Sequence, residues 1–573
     1  MKPQEAQPIL QGKRYNVLQN QGIFCRNSIK NGGLCMLKLN REGLMDAEAW
    51  KKAGIALPAF DIDEMVRETE KTPEWVHFGA GNIFRVFPAL MQQKLLDAGW
   101  AKTGIIAVKT YDWQTIGTMY APFDNLSLAV IMEPDGRLDM TVVASICVTL
   151  AGDPACEKDW ERLQEIFRAP SLQMVSFTIT EKGYSLRTSS GELSPEIAAD
   201  LEKGPASPGH VMSKTAALAY ARFRAGAFPL AFVSMDNCAR NGDKLKESLG
   251  EIARGWAENG LVEETFVRWL TESPKVSFPW TMIDKITPRP SDRVRNRLNA
   301  LGLGTGDTLH TEKHAFIAPF VNAERSEYLV IEDSFPNGRP PLERAGAYFT
   351  DRLTVDRVER MKVGTCLNPL HTALAVFGCL LGYTLIADEM KDPDLKRLVE
   401  KIGYVEGIPV AEDPGIIHPL DFLREVIEER LPNPNIPDTP QRIAMDTSQK
   451  VGIRFGGTIR AYRDREGLDP ADLTFIPLTL AAWCRYLMGL NDRGEEMALS
   501  PDPLLETLRP HLAAVRLGEP SSAKGVLRPI LSDRGIFTVD LYEVGLGEKI
   551  EGYFAEMIAG PGAVRNTLRK YLG

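Results

Sequence analysis

The chain has 573 residues, more than one ordinary hydrophobic core accommodates, because single cores stop growing near roughly 250 to 300 residues; two domains are expected. Its composition is 44% hydrophobic and 25% charged, with 48 Gly and 38 Pro scattered rather than gathered in a tract, which excludes a disordered chain. The formal net charge of -9 argues against a nucleic-acid binder, which needs clustered Lys and Arg, and favours a small-molecule partner.

Residues 1–35 show no clear period, and their start, MKPQEAQPILQGKRYN, lacks the apolar core of a secretory signal. They are expected to be a loosely held extension, or to follow from an upstream start, and in either case not to be needed for activity. Patterned sequence begins at Met36. From about 75 to 340, short β-rich runs alternate with helical patterns, the signature of a parallel sheet with crossover helices. The strand candidates are WVHFGAG (75–81), TGIIAVKTY (103–111), LQMVSFTIT (172–180) and PLAFVSMDN (229–237). Several are continuous apolar runs, as strands covered on both faces require.

After about 353 helical periods take over, in HTALAVFGCLLGYTLIADEM, PLDFLREVIEERL, LTLAAWCRYLMGL and DPLLETLRPHLAAVRLG. The predicted class is therefore α/β followed by all-α: a Rossmann-type, doubly wound domain over 36–352 and a helical domain over 353–573. The longest apolar run, at 373–387, is broken by Gly and Tyr and falls short of the ~20 residues a bilayer needs, so it is predicted to be a buried helix, with no membrane partner. Eight cysteines without a CxxC pair read as reduced thiols of a cytoplasmic protein.

The first strand ends in HFGAGNIFR, where Gly79 and Gly81 supply GxG and Phe84 stands at the third glycine position. Such a turn lets backbone N–H groups approach a pyrophosphate, but it is also an ordinary strand-to-helix turn. On the first reading Gly79, Gly81, Asn82, Ile83 and Phe84 contact the cofactor, and Asp112, in KTYDW, binds the adenosine ribose. That favours NAD; Lys109 nearby keeps NADP as the alternative.

Other stretches read two ways. In DNCARNGD, polar residues at the carboxyl end of a parallel strand lie where such sheets bind ligands, yet Asp236 and Asn241 also suit a tight turn and a helix cap. Asp284 and Lys285 in TMIDKITPRP make either an exposed ion pair or part of a site. Arg442 and Lys450 in QRIAMDTSQK suit a polyhydroxylated or carboxylated substrate, or solvated surface. His310 and His314 in HTEKH would share one helix face, but no third ligand accompanies them, and no metal is expected.

Taken in order, HFGAGNIFR, TITEKGY, SMDNCARNG, MIDKITP, VIEDSFPNGRPPLERAG, ERMKVGTCLNPLHTALA and RIAMDTSQK resemble the long-chain mannitol dehydrogenase family, from about residue 75 to the C-terminus. That family includes mannitol 2-dehydrogenases, fructuronate reductases and tagaturonate reductases. The resemblance implies a metal-independent NAD(P) enzyme, with its active site between a Rossmann-type and a helical domain. It implies Lys362 as general acid/base, Asn237 and Asn368 on the reacting oxygen, His371 orienting the substrate, Asp284 near the lysine, and Arg442 and Lys450 on distal hydroxyls or a carboxylate.

A free lysine, with pKa ~10.4, is a poor base until burial or neighbouring cations lower that value, and Arg442 and Lys450 are expected to supply that push. The expected substrate is a keto sugar acid of the fructuronate kind, reduced to its secondary alcohol, with fructose/mannitol and tagaturonate as alternatives. The expected assembly is a monomer or small homo-oligomer.

One departure carries its own expectation. The family pattern KLRLLNGxH places Asn five and His eight positions after Lys; here the gaps are six and nine. In one regular helix the extra residue would turn Lys362 away from Asn368 and His371. A π-bulge or broken turn around Gly364 to Cys366 is therefore predicted, with Asn368 capping the next helix and Pro369 at its first position. Without it, the fold would be a catalytically silent dinucleotide-binding sensor.

Overall fold

The computed structural model describes residues 36–188, 190–306, 308–310 and 316–573, so the expectations for residues 1–35 and for His314 lie outside the described residues. The central sheet has six strands: β1 (Trp75–Phe78), β2 (Ile105–Lys109), β3 (Ile146–Ala151), β4 (Met174–Phe177), β5 (Leu230–Ser234) and β6 (Val276–Ser277). All neighbours pair in parallel, in the order β3-β2-β1-β4-β5-β6, the arrangement of a Rossmann fold.

Residues within β1, β2, β4 and β5 are buried throughout, which is why these strands read as unbroken apolar runs. Their alternation sorts them onto two cores. Val76, Phe78, Ile106, Val108, Val175 and Phe177 face the helices Glu157–Arg168, Val211–Arg224 and Asn241–Glu258. Trp75, Ile105, Ala107, Met174 and Val233 face the other side, with helix Pro88–Asp97.

Three further sheets have no counterpart among the strand candidates, the smallest being the antiparallel pair Leu309–His310 and Phe316–Ile317. Ile55–Ala56, Leu138–Val143, Ser127–Met132 and Phe320–Glu324 form a four-stranded sheet over its own core. β7 (Thr281–Asp284), β8 (Tyr328–Glu332) and β9 (Tyr348–Thr350) form a three-stranded sheet. This last one bridges the halves of the molecule: Ile283, Leu329 and Ile331 pack on the Rossmann side, while Met282 and Val330 join the helical core.

Among the described residues from 353 onward there is no strand, only one isolated bridge between Leu490 and Glu496. A single helical run, Arg352–Leu381, forms the axis of this half. It is longer than the apolar run suggested, and its 30 residues meet the length and composition of a membrane span; 78% burial of its apolar window makes it the core of the helical domain. Helix Phe475–Tyr486, buried at every residue, packs against it.

Candidate active site

A cavity of about 400 Å³ lies between the carboxyl ends of the sheet strands and the helical domain. Asn237 reaches it from the loop after β5, Asp284 from the end of β7, and Lys362, Asn368 and His371 from the long helical run. Asp438 and Arg442 also line it.

The local structure explains how Lys362 and His371 reach one cavity. Nine residues are about two and a half turns of a regular α-helix and would set them on opposite faces. Met361–Cys366 is instead π-helical, and the Leu367 N–H donates to the Lys362 carbonyl at 3.1 Å, five residues back. The wider turn absorbs the extra residue, as expected of a bulge at a functional site. One detail is corrected: the cap of the next helix is Leu367, with Asn368 its first residue and Pro369 its second.

The Lys362 ammonium lies 3.0 Å from Asp284 Oδ1 and donates to the Ile283 carbonyl at 3.1 Å. Arg430, which no motif singled out, grips the same carboxylate at 2.6 and 3.1 Å and Glu324 at 2.9 and 3.0 Å. All four side chains are almost fully buried. Burial pushes the Asp284 carboxyl up, but Arg430 and Lys362 outweigh it and hold that carboxyl well below the usual range. Glu324 goes the other way: burial wins over the pairing with Arg430, and Asp284 repels its charge.

His371 is largely buried, with Nε2 3.3 Å from Asp438 Oδ2. Burial holds the imidazole below its ordinary value, although Asp438 pulls the other way. Asp438 also accepts from Arg442 Nε at 2.6 Å; burial opposes its charge, and its bonds to His371 and Arg442 prevail to keep it below the usual carboxylate range.

Arg442 and Lys450, the cations expected beside Lys362, are both engaged elsewhere. Arg442 is engaged by Asp438, and Lys450 lies outside the cavity lining with its ammonium on the Met445 carbonyl. The charge against Lys362 is the Asp284 carboxylate.

The turn after β1 has a glycine that geometry demands. Gly79 has φ +99°, and a Cβ there would stand 2.1 Å from the Thr178 carbonyl oxygen. Gly81 precedes helix Asn82–Val86 as its cap, and a Cβ there would meet nothing closer than 3.9 Å, so the approach is open. Between β1 and β4 the strand order reverses, the crevice where such folds bind dinucleotides. Ile83 lines the cavity. Asn82 accepts from Arg85 at 2.8 Å.

Phe84 corrects an expectation: its side chain is fully buried and stacked on His77 at 4.1 Å, so it fills the core where the third glycine would stand and offers a cofactor no side-chain contact. Asp112 follows β2 in the left-handed region, φ 52°, and caps Trp113–Thr115. Lys109 is buried against the Tyr120 ring, and burial together with Arg85 lowers its ammonium to about 8.

Asp236 and Asn241 serve the turn. Asp236 accepts from the Ile179 and Thr180 amides and from Tyr184, while Asn241 ties Ser234 to Thr281. Lys285 pairs with Glu327 at 2.8 Å rather than lying exposed. His310 is in a short strand, not a helix. Among the described residues no cluster of three or more metal-ligating side chains occurs.

Arg430 and Asp438 are the site residues that sequence reasoning missed. Arg430 ends PLDFLREVIEER, which reads as a solvated charged face; Asp438 sits in NPNIPDTP, where the prolines were a legible sign of a rigid loop.

A Rossmann domain opening onto a helical domain, with a buried lysine–carboxylate pair in the cleft, defines a two-domain dehydrogenase. Residues 73–344 match the mannitol dehydrogenase Rossmann domain and residues 354–551 the mannitol dehydrogenase C-terminal domain; the chain belongs to the mannitol dehydrogenase family. It is 55% identical to a D-mannonate oxidoreductase of Thermotoga maritima, over 94% of this chain and 99% of that one. It is 29% identical to a polyol:NADP oxidoreductase of Gluconobacter oxydans, over 77% and 84% of the two chains. The solved mannitol 2-dehydrogenase of Pseudomonas fluorescens, a ternary complex with NAD and D-mannitol, superposes with a TM-score of 0.66 at 26% identity, covering 91% of this chain and 97% of that one. The chain is accordingly an oxidoreductase acting on a secondary CH–OH group.

Proposed function

We propose that this enzyme interconverts D-fructuronate and D-mannonate with NAD(H). The observation that carries the reading is the gathering of Lys362, Asn368, His371 and Asn237 in one cavity, with Lys362 held on Asp284. The identity to a D-mannonate oxidoreductase supports the substrate. The division of labour falls at about 352/353, with the dinucleotide on the N-terminal side.

The open approach at Gly81 and the crevice between β1 and β4 support a dinucleotide there, and Asp112, which follows β2, is assigned the ribose. Bound nicotinamide dinucleotide supplies or accepts the hydride. Lys362 gives a proton from Nζ to the carbonyl oxygen during reduction and takes it back during oxidation, while the Asn237 and Asn368 amides hold the developing alkoxide. Asp284 and the Ile283 carbonyl fix the amine between turnovers. A neutral His371 that donates Nε2–H to Asp438 keeps Nδ1 as an acceptor for a substrate hydroxyl.

Six free cysteines among the described residues are in keeping with a reducing, cytoplasmic setting. The test is NADH absorbance with fructuronate, fructose and tagaturonate, repeated with NADPH. Fructuronate with NADH is expected to give the highest kcat/KM; faster turnover of fructose or tagaturonate overturns the substrate, and preference for NADPH overturns the cofactor.

A further inference from the structure

Around the cavity the cations are matched by anions, save at one end. Lys362 and Arg430 share Asp284 and Glu324, Lys285 has Glu327, and Arg442 has Asp438. Arg454, on the π-helical stretch Gly452–Gly456, has no carboxylate within ion-pair distance among the described residues. Its Nη1 donates to Thr372 Oγ1 at 2.6 Å, and that hydroxyl donates onward to the Asn368 carbonyl at 2.8 Å. Arg454 therefore stands directly behind the turn that presents Asn368 and His371, and its charge acts on the His371 ring and on Lys450.

We propose that Arg454 is the residue that makes this site prefer a substrate carrying a carboxylate over a neutral ketose. The proposal rests on the sugar-acid reading above. A guanidinium in the protein wall with only a hydroxyl for company keeps its field, because the local dielectric is far below that of water and no counter-charge cancels it. Next to it, burial favours the neutral form of His371 and Asp438 offsets Arg442, so beside His371 Arg454 and Lys450 are left, among the described residues, as cations without a paired carboxylate. An anionic substrate end completes this ledger; a hydroxymethyl group does not. Arg454 does not line the cavity, so it is a specificity-determining and positioning residue rather than a catalytic one.

The test compares KM and kcat for D-fructuronate and D-fructose in wild type, Arg454→Met and Arg454→Lys, with NADH binding checked by fluorescence in each. Loss of one charge interaction is expected to lower the ratio of kcat/KM, fructuronate over fructose, about tenfold in Arg454→Met, through KM for the acid, with Arg454→Lys recovering most of it. Added salt is expected to raise KM for fructuronate in wild type more than in Arg454→Met. An equal loss with both substrates marks a purely structural strut and overturns the proposal. A wild type that prefers fructuronate and a Met variant that keeps the full preference overturn the proposal while leaving the substrate reading intact. A wild type with no preference for the acid overturns both.

Discussion

Lys362 and Arg430 hold the two oxygens of one buried carboxylate: Lys362 Nζ is 3.0 Å from Asp284 Oδ1, and Arg430 Nη1 is 2.6 Å from Oδ2. Asp284 belongs to the sheet that bridges the two halves, and both cations belong to the helical half. The interdomain contact and the positioning of the proposed acid/base are thus one structure. Replacing Lys362 by Ala is expected to lower kcat by about 10²- to 10⁴-fold while NADH binding persists. Stopped-flow or steady-state absorbance with NADH titration checks both halves of that statement, and an active Lys362→Ala enzyme overturns the role of the lysine.

Arg430→Met leaves Asp284 and Glu324 buried without their shared cation. Breaking such a pair typically costs about 3 to 5 kcal/mol: Asp284 keeps Lys362, but Glu324 is left buried without its ion-pair partner. Urea unfolding of the variant is expected to show a loss of that order, and a shift under 1 kcal/mol, the scale of an exposed pair, would contradict the geometry.

Acid acts on the same network in a defined direction. Burial raises the Asp284 carboxyl, but Arg430 and Lys362 prevail and hold it below its ordinary ~3.9. A depressed folded value contributes stability that is fully present above the unfolded value and is lost as pH falls from there toward the folded one. The stability advantage of wild type over Asp284→Asn is therefore expected to be largest at neutral pH and to shrink below about pH 4. Denaturant titrations at a series of pH values check this; a constant difference across that window contradicts it.

Burial keeps the His371 ring below its ordinary value, with Asp438 opposing. By NMR its C2–H resonance is expected to titrate below ~6.5, and at still lower pH in Asp438→Asn, where the opposing carboxylate is gone. Titration at or above ~6.5 in wild type would show that the ring is cationic where a neutral acceptor is proposed.

The π-turn makes its own prediction. One alanine inserted between Val363 and Gly364 adds a residue that the π-turn, already widened once, cannot also absorb without rotating Lys362 off the cavity wall. A misplacement of about 1 Å is enough to cost roughly 10²-fold, so kcat is expected to fall at least that far with little change in NADH affinity. Retained turnover would mean that Lys362 does not need its present register.

The sequence alone determined the architecture, because it lies in local pattern: unbroken apolar runs such as IIAVK and LAFVS can only be strands covered on both faces, and the periodic stretches after 353 can only bury themselves as helices. Through the family resemblance it also pointed to Lys362, Asn368, His371, Asn237 and Asp284, and the one-residue excess between Lys362 and Asn368 was enough to require an irregular turn. What it could not determine were pairings between distant segments. Arg430 looks like surface charge until helix Pro419–Glu425 and the π-turn after it set it against β7; Glu324 lies in an unremarkable NAERSE; Phe84 looks like a degraded glycine motif until His77 stacks on it. Lys450 shows the reverse, since its type and spacing suit a substrate ligand while its loop directs the ammonium to Met445. Side-chain identity travels with the sequence, but which charge compensates which is a property of three-dimensional proximity and shared burial, and only the folded chain decides it.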